Sequence, residues 1–198
     1  GIHIIDGKDK ERSADALPEL LSKALGVSFD DHVGHDYIQQ SDDRYEFYHT
    51  TEEKIPFDLE FFNRITKGGL PPKTLNICLA GTGVGKSLFM CHVAANCLSQ
   101  GKNVLYITLE MAEERIAERI DANLLQTNIG DLESLLKTSY DRKIERMKES
   151  VKGQLMIKEY PTAAANTTHF RSLIDELKMK KNFVPDIVYV DYLNIASS

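Results

Sequence analysis

Short apolar runs, one of them alternating with polar positions, recur along this chain, and all but the last are followed by stretches in which apolar residues return every three to four positions. Leu75, Ile77 and Leu79 alternate as one strand would, and a helix over 87–100 follows, closed by Gly101. NVLYITLE predicts a second strand over 103–110, and 112–126 a helix with Ile116, Ile120 and Leu124 on one face. Helical segments are expected around 131–137 and over 141–152, the latter with a stripe of Ile144, Met147 and Val151. QLMIKEY reads as a third strand, 168–181 as a helix with Phe170, Leu173, Ile174 and Leu177 on one face, and DIVYVD as a fourth strand. Strands alternating with helices predict an α/β fold built on a mainly parallel sheet flanked by helices, with reactive groups at the carboxyl ends of the strands.

The first quarter of the chain reads differently. Ser13 can cap a helix whose residues Leu17, Leu20, Leu21, Ala24 and Leu25 share one face, with Gly26 closing it and Pro18 near its first turn. From residue 28 to 54, acids are scattered among aromatics without a helical or strand period, so an irregular connecting segment is expected there. The organisation that follows is a helix with a connecting segment over 1–54 and one core over 55–198, with both ends of the chain expected to be cut from a longer one, since it starts at Gly1 and stops just past a strand.

Composition changes this picture only by exclusion. A net charge of −6 argues against a broadly basic nucleic-acid face, so any nucleic-acid contact must be local or lie elsewhere. Cys78, Cys91 and Cys97 are odd in number and lack C-x-x-C spacing, which predicts small buried apolar residues in a reducing compartment rather than disulfides or a metal site. His32 with His35 has no thiol or third histidine nearby and is not expected to bind metal. No apolar run reaches the length of a membrane span and the N-terminus has no signal-peptide core, so a cytoplasmic protein is expected.

The chemistry concentrates where the first predicted strand meets its helix. LAGTGVGKS fits the phosphate-binding pattern G-x-x-x-x-G-K-[ST], except that Ala80 stands in place of the first glycine. Backbone N–H groups there would form a nest at a helix N-terminus, where unpaired donors and the helix dipole favour anionic oxygens. The candidate nucleotide-binding run is Gly81, Thr82, Gly83, Val84, Gly85, Lys86, Ser87 and Leu88, with Lys86 reaching the β and γ phosphates and the Ser87 hydroxyl on Mg²⁺. Two acids end later strands. Asp191 in IVYVD matches the Walker-B pattern, whose aspartate holds Mg²⁺, commonly through water. Glu110 ends the strand after the phosphate-loop helix, where it can face the γ-phosphate opposite Lys86 and deprotonate an attacking water. ATP and Mg²⁺ are the cofactors this set of residues predicts.

The succession IPFDLEFFNRITKGGLPPKTLNICLAGTGVGKS, then VLYITLEM with Arg115 and Arg119 in the next helix, then IVYVDYLNI, resembles the RecA-like motor domain of DnaB-type hexameric replicative DNA helicases, in wording similar to the T-even-like bacteriophage members. The resemblance covers residues 55 to 195. It implies a RecA-like P-loop NTPase core, with Lys86 and Ser87 on the nucleotide and Mg²⁺, Glu110 as general base and Asp191 as the Walker-B acid. The helix over 14–25 would be the linker helix that docks on the adjacent subunit. The expected activity is ATP hydrolysis coupled to translocation on single-stranded DNA and to duplex unwinding, in a homo-hexamer partnered by primase and a helicase loader, in a bacterial host cytoplasm. A RecA- or KaiC-like ATPase forming a filament or regulatory ring is the alternative. In such folds a later strand inserts between the P-loop and Walker-B strands, and the DNA-binding loops and arginine finger follow Asp191, so this chain is expected to lack the middle of its own sheet.

Overall fold

The computed structural model describes residues 34–161 and 165–192; the predicted helix over 13–26 and His32 lie outside them. The chain divides into two compact units, the first ending at Thr51 and the second starting at Glu52. In the described part of the first unit, helix α1 (Ser41–His49) occupies what the sequence suggests is irregular. It has no buried residue, which is why no apolar periodicity betrays it. Asp42 and Asp43 in its first turn and His49 in its last complement the helix dipole. Upstream, the Arg44 guanidinium stacks 4.2 Å from the Tyr37 ring centroid and its Nη1 lies 3.1 Å from His35 Nε2, so His35 serves a local contact.

The second unit opens with α2 (Glu60–Thr66), held against the chain before it by a bridge between Ile55 and Leu70. Gly69 makes that bridge possible: its φ is +125°, and a β-carbon there would stand 2.2 Å from the Ile55 carbonyl oxygen. Next come α3 (Lys86–Ser99), β1 (Val104–Thr108), α4 (Glu113–Leu124), a short α5 (Ile129–Leu132), α6 (Lys137–Ser150), β2 (Leu155–Glu159), α7 (Thr167–Lys181) and β3 (Ile187–Asp191). The helix expected around 131–137 is instead this single turn ending at Leu132, and α6 begins at Lys137 rather than at Asp141. Asn166 starts α7 with a capping box, its side chain accepting from the His169 N–H while the His169 ring engages the Asn166 N–H.

Among the described residues the sheet has three strands in the order β2-β1-β3, all parallel. β1 is central and buried on both faces. Its period of two divides the core. Val104 and Tyr106 face a cluster with α3, α4 and Tyr189, whereas Leu105 and Ile107 face Phe183 and Leu177, with Phe170, Leu173 and Ile174 of α7 around them. Ile116 and Ile120 are buried and Leu124 packs beside them, as the spacing of α4 predicts. The result is helices, sheet and helix in three layers, the α/β arrangement expected.

The predicted first strand does not form. No strand is present over 74–80, and Leu75, Ile77 and Leu79 are 86%, 73% and 90% exposed. A strand needs a neighbour to accept its N–H and C=O groups, and among the described residues none lies alongside this segment. Cys78, expected to be buried, is accordingly only half-buried, while Cys91 and Cys97 are fully buried in α3.

Candidate functional site

The phosphate-loop run lies between the unpaired segment and α3. Gly83 and Gly85 adopt φ of +75° and +108°, the region where a side chain is strained and glycine is free. Ala80 has no positive φ, so the departure from the first glycine costs no backbone strain at that position. Gly85 is the N-cap of α3, with no side-chain cap and no acid in the first turn. The first α3 hydrogen bond runs from the Phe89 N–H to the Gly85 carbonyl at 2.9 Å. The N–H groups of Lys86, Ser87 and Leu88 therefore remain orphan donors at the positive end of a 14-residue helix, a setting that favours an anion.

Helix α3 can lie close on the sheet because its buried face is small: Cys91, Val93, Ala94, Ala95 and Cys97 are all nearly inaccessible. That close approach brings its N-terminal turn to the carboxyl end of β3. Asp191 shares a sheet face with Tyr189, two residues before it, and that face is the one α3 covers. Lys86 Nζ stands 3.2 Å from Asp191 Oδ1, and 3.9 Å above the ring of Tyr192. Asp191 is 1% exposed, yet its Oδ1 has no hydrogen bond of acceptable geometry; the Lys86 ammonium is near but not well directed. A buried carboxylate oxygen left in this state, beside a lysine and the free N–H groups of a helix start, suits a hard cation that itself carries phosphate oxygens.

The other Asp191 oxygen is occupied. The Tyr106 hydroxyl donates to Oδ2 at 3.1 Å, and its oxygen accepts from the Cys91 thiol at 3.9 Å. Tyr106 stacks on Tyr189 with ring centroids 5.6 Å apart, and Cys97 Sγ lies 3.6 Å from the Tyr189 hydroxyl. Burial pushes both phenols far above the ordinary tyrosine range, with the neighbouring thiols adding to it, so both stay protonated donors. Burial likewise raises the Cys91 and Cys97 thiols, which makes them inert.

Glu110 is exposed and lies two residues beyond Thr108, whose ladder partner on β3 is Asp191. The turn that carries it is braced by Thr108, a fully buried polar residue. The Thr108 hydroxyl donates to the Met111 carbonyl at 2.8 Å and accepts from the Met111 N–H at 3.0 Å, while the Leu109 N–H donates to the Asp191 carbonyl at 2.9 Å. Of the residues singled out in sequence, Lys86 and Asp191 are in contact, Ser87 follows Lys86 in the same turn, and Glu110 lies just past the carboxyl end of the central strand β1. Arg115 pairs instead with Glu118 on the surface of α4, at 2.8 Å. Sequence reasoning passed over Tyr106 and Thr108; the signal was a phenol and a hydroxyl inside an otherwise aliphatic strand, on the face shared with Asp191.

Comparisons with known proteins bear on this geometry. The family model for the DnaB-like helicase C terminal domain matches residues 55–198. A DnaB-like replicative helicase of Enterobacteria phage T4 is 47% identical over 186 residues, which is 92% of this chain and 39% of that protein. A probable plasmid replicative DNA helicase of Chlamydia psittaci is 31% identical over 124 residues, covering 62% of this chain and 26% of its own length. Among solved structures, one of a DnaB-like replicative helicase, described with its interactions with primase, matches 91% of this chain and 43% of its own with a TM-score of 0.60 at 18% identity. The chain thus spans well under half the length of these relatives.

Proposed function

The chain belongs to the DnaB-like helicase C-terminal domain family, and from that premise we propose that residues 55–198 are the N-terminal part of the ATPase domain of a hexameric replicative DNA helicase. The full-length protein would couple ATP hydrolysis to movement on single-stranded DNA and to separation of a forked duplex. The observation that carries this reading is the approach of Lys86 Nζ to Asp191 Oδ1, 3.2 Å, at the start of a helix with unpaired N–H groups.

In this reading the backbone from Gly81 to Leu88 cradles the phosphates of ATP. Lys86 would serve the β and γ phosphates, and the Ser87 hydroxyl and Asp191, the latter through water, would hold the cation. Magnesium supplies neutralisation of charge on the phosphate oxygens when bound there. Glu110, on the turn braced by Thr108, orients the attacking water and takes its proton. In the helicases that the chain resembles, the arginine finger and DNA-binding loops follow Asp191. An arginine of that kind is worth about 10³ to 10⁵ in rate, so the chain by itself is expected to bind MgATP and turn it over very slowly. Residues 1–54 are proposed as a linker helix and connecting segment. Single-stranded DNA, sister subunits of a homo-hexamer, primase and a helicase loader are the proposed partners, in a bacterial host cytoplasm; no described helix is long and apolar enough to cross a membrane.

The test is unwinding of a forked duplex by the full-length protein, with DNA-stimulated ATP hydrolysis recorded alongside. Glu110→Gln is expected to abolish unwinding and to lower hydrolysis by about 10² to 10⁴ while nucleotide binding persists. Hydrolysis stimulated by DNA without strand separation would replace the helicase reading by that of a filament or regulatory ring.

A further inference from the structure

Asp191 has one oxygen committed and one open, and the partition is made by a residue to which the reading above gives no role. Tyr106 is 85 positions away in sequence from Asp191 and two residues before Thr108, the ladder partner of Asp191. Its side chain therefore reaches diagonally across the β1–β3 pair, a span that a tyrosine can cover and an aliphatic residue cannot terminate with a donor. Two contacts and burial hold its hydroxyl in place. The ring is stacked on Tyr189 at 18° between planes, Cys91 Sγ lies 3.9 Å from the hydroxyl, and the whole side chain is inaccessible. The Cys91 thiol donates to the phenolic oxygen, and the phenolic proton goes to Asp191 Oδ2, a strong carboxylate acceptor.

We propose that Tyr106 is a positioning residue for Asp191: its hydroxyl holds Oδ2 inside the core and so turns Oδ1, the oxygen without a hydrogen bond, toward Lys86 and the phosphate-bound cation. The inference rests on the nucleotide site proposed above. It assigns to the strand between Lys102 and Glu110 a role beyond carrying Glu110. Without the hydroxyl, the carboxylate keeps its place in β3 but loses the contact that selects its rotamer, and both oxygens are free to turn toward the Lys86 ammonium. A hydrogen-bond donor placed behind a cation-holding carboxylate tunes metal affinity by orienting that carboxylate rather than by touching the ion.

The experiment is calorimetric titration of the full-length protein with AMP-PNP, once with excess Mg²⁺ and once in EDTA. Y106F retains the ring and its stacking and removes one atom. Its affinity in EDTA is expected to stay within about twofold of the parent, while the gain in affinity brought by Mg²⁺ falls by about tenfold. Y189F serves as a control for core damage, because its hydroxyl is also in a buried contact but meets Cys97 rather than Asp191; its Mg²⁺ gain is expected to match the parent. The inference is overturned if Y106F keeps the full Mg²⁺ gain while D191N loses it, if Y189F loses as much as Y106F, or if Y106F weakens AMP-PNP in EDTA as well, since the hydroxyl would then support the whole site. If K86A and D191N both bind AMP-PNP as the parent does with and without Mg²⁺, the nucleotide site itself falls, which is a separate result.

Discussion

Two segments of this chain are both expected from sequence to be strands and meet opposite fates: VLYIT is a continuous apolar run, whereas LNICL alternates. VLYIT, as β1, has a parallel partner on each side, and all five of its residues are buried. LNICL, just before the phosphate loop, has no ladder partner among the described residues, and its alternating Leu75, Ile77 and Leu79 are at least 73% exposed. An apolar pattern of either kind invites a strand but does not make one. Burial of the side chains and satisfaction of the backbone come together, from neighbours, or not at all.

The comparison can be tested from the side of β1 first. Ile107→Ala, which empties a fully inaccessible position between β1 and α7, is expected to cost about 2–5 kcal/mol in urea unfolding. A loss near zero would mean that the second core cluster is not formed. Thr108→Val keeps the shape of the strand but leaves the Met111 N–H without the hydroxyl oxygen it donates to. It is expected to cost about 1–3 kcal/mol and to speed amide hydrogen exchange at Met111. Unchanged exchange would show that the turn carrying Glu110 is held by something else. Ile77→Ser in this chain is expected to shift stability by no more than about 0.5 kcal/mol, because the side chain is already in water. A loss above about 1 kcal/mol would place Ile77 in a packed environment and break the contrast with β1.

Much of the fold is legible without coordinates. The faces of α4 and α7 follow from the spacing of Ile116, Ile120 and Leu124 and of Phe170, Leu173, Ile174 and Leu177, since these positions share one side of a 3.6-residue period. β1, β2 and β3 follow from short apolar runs rich in β-formers between such helices. Less legible is α1, a helix with no buried face and hence no period to read. The short α5 and the early start of α6 at Lys137 escaped for a related reason, as neither start buries a residue.

For the candidate site, the expected phosphate loop rests on local order along the chain: a lysine and a serine after glycines, at the start of a helix, need only their own neighbours to present N–H groups to an anion. Local order likewise set Asp191 and Glu110 after apolar strands. Three-dimensional packing alone decided that Lys86 meets Asp191, that Tyr106 claims one oxygen of that carboxylate and leaves the other open, and that 74–80 stays unpaired. These outcomes depend on strand order and register between segments more than 80 residues apart. A period in the sequence reports which face of an element is apolar, but it holds no information about which element will lie beside it.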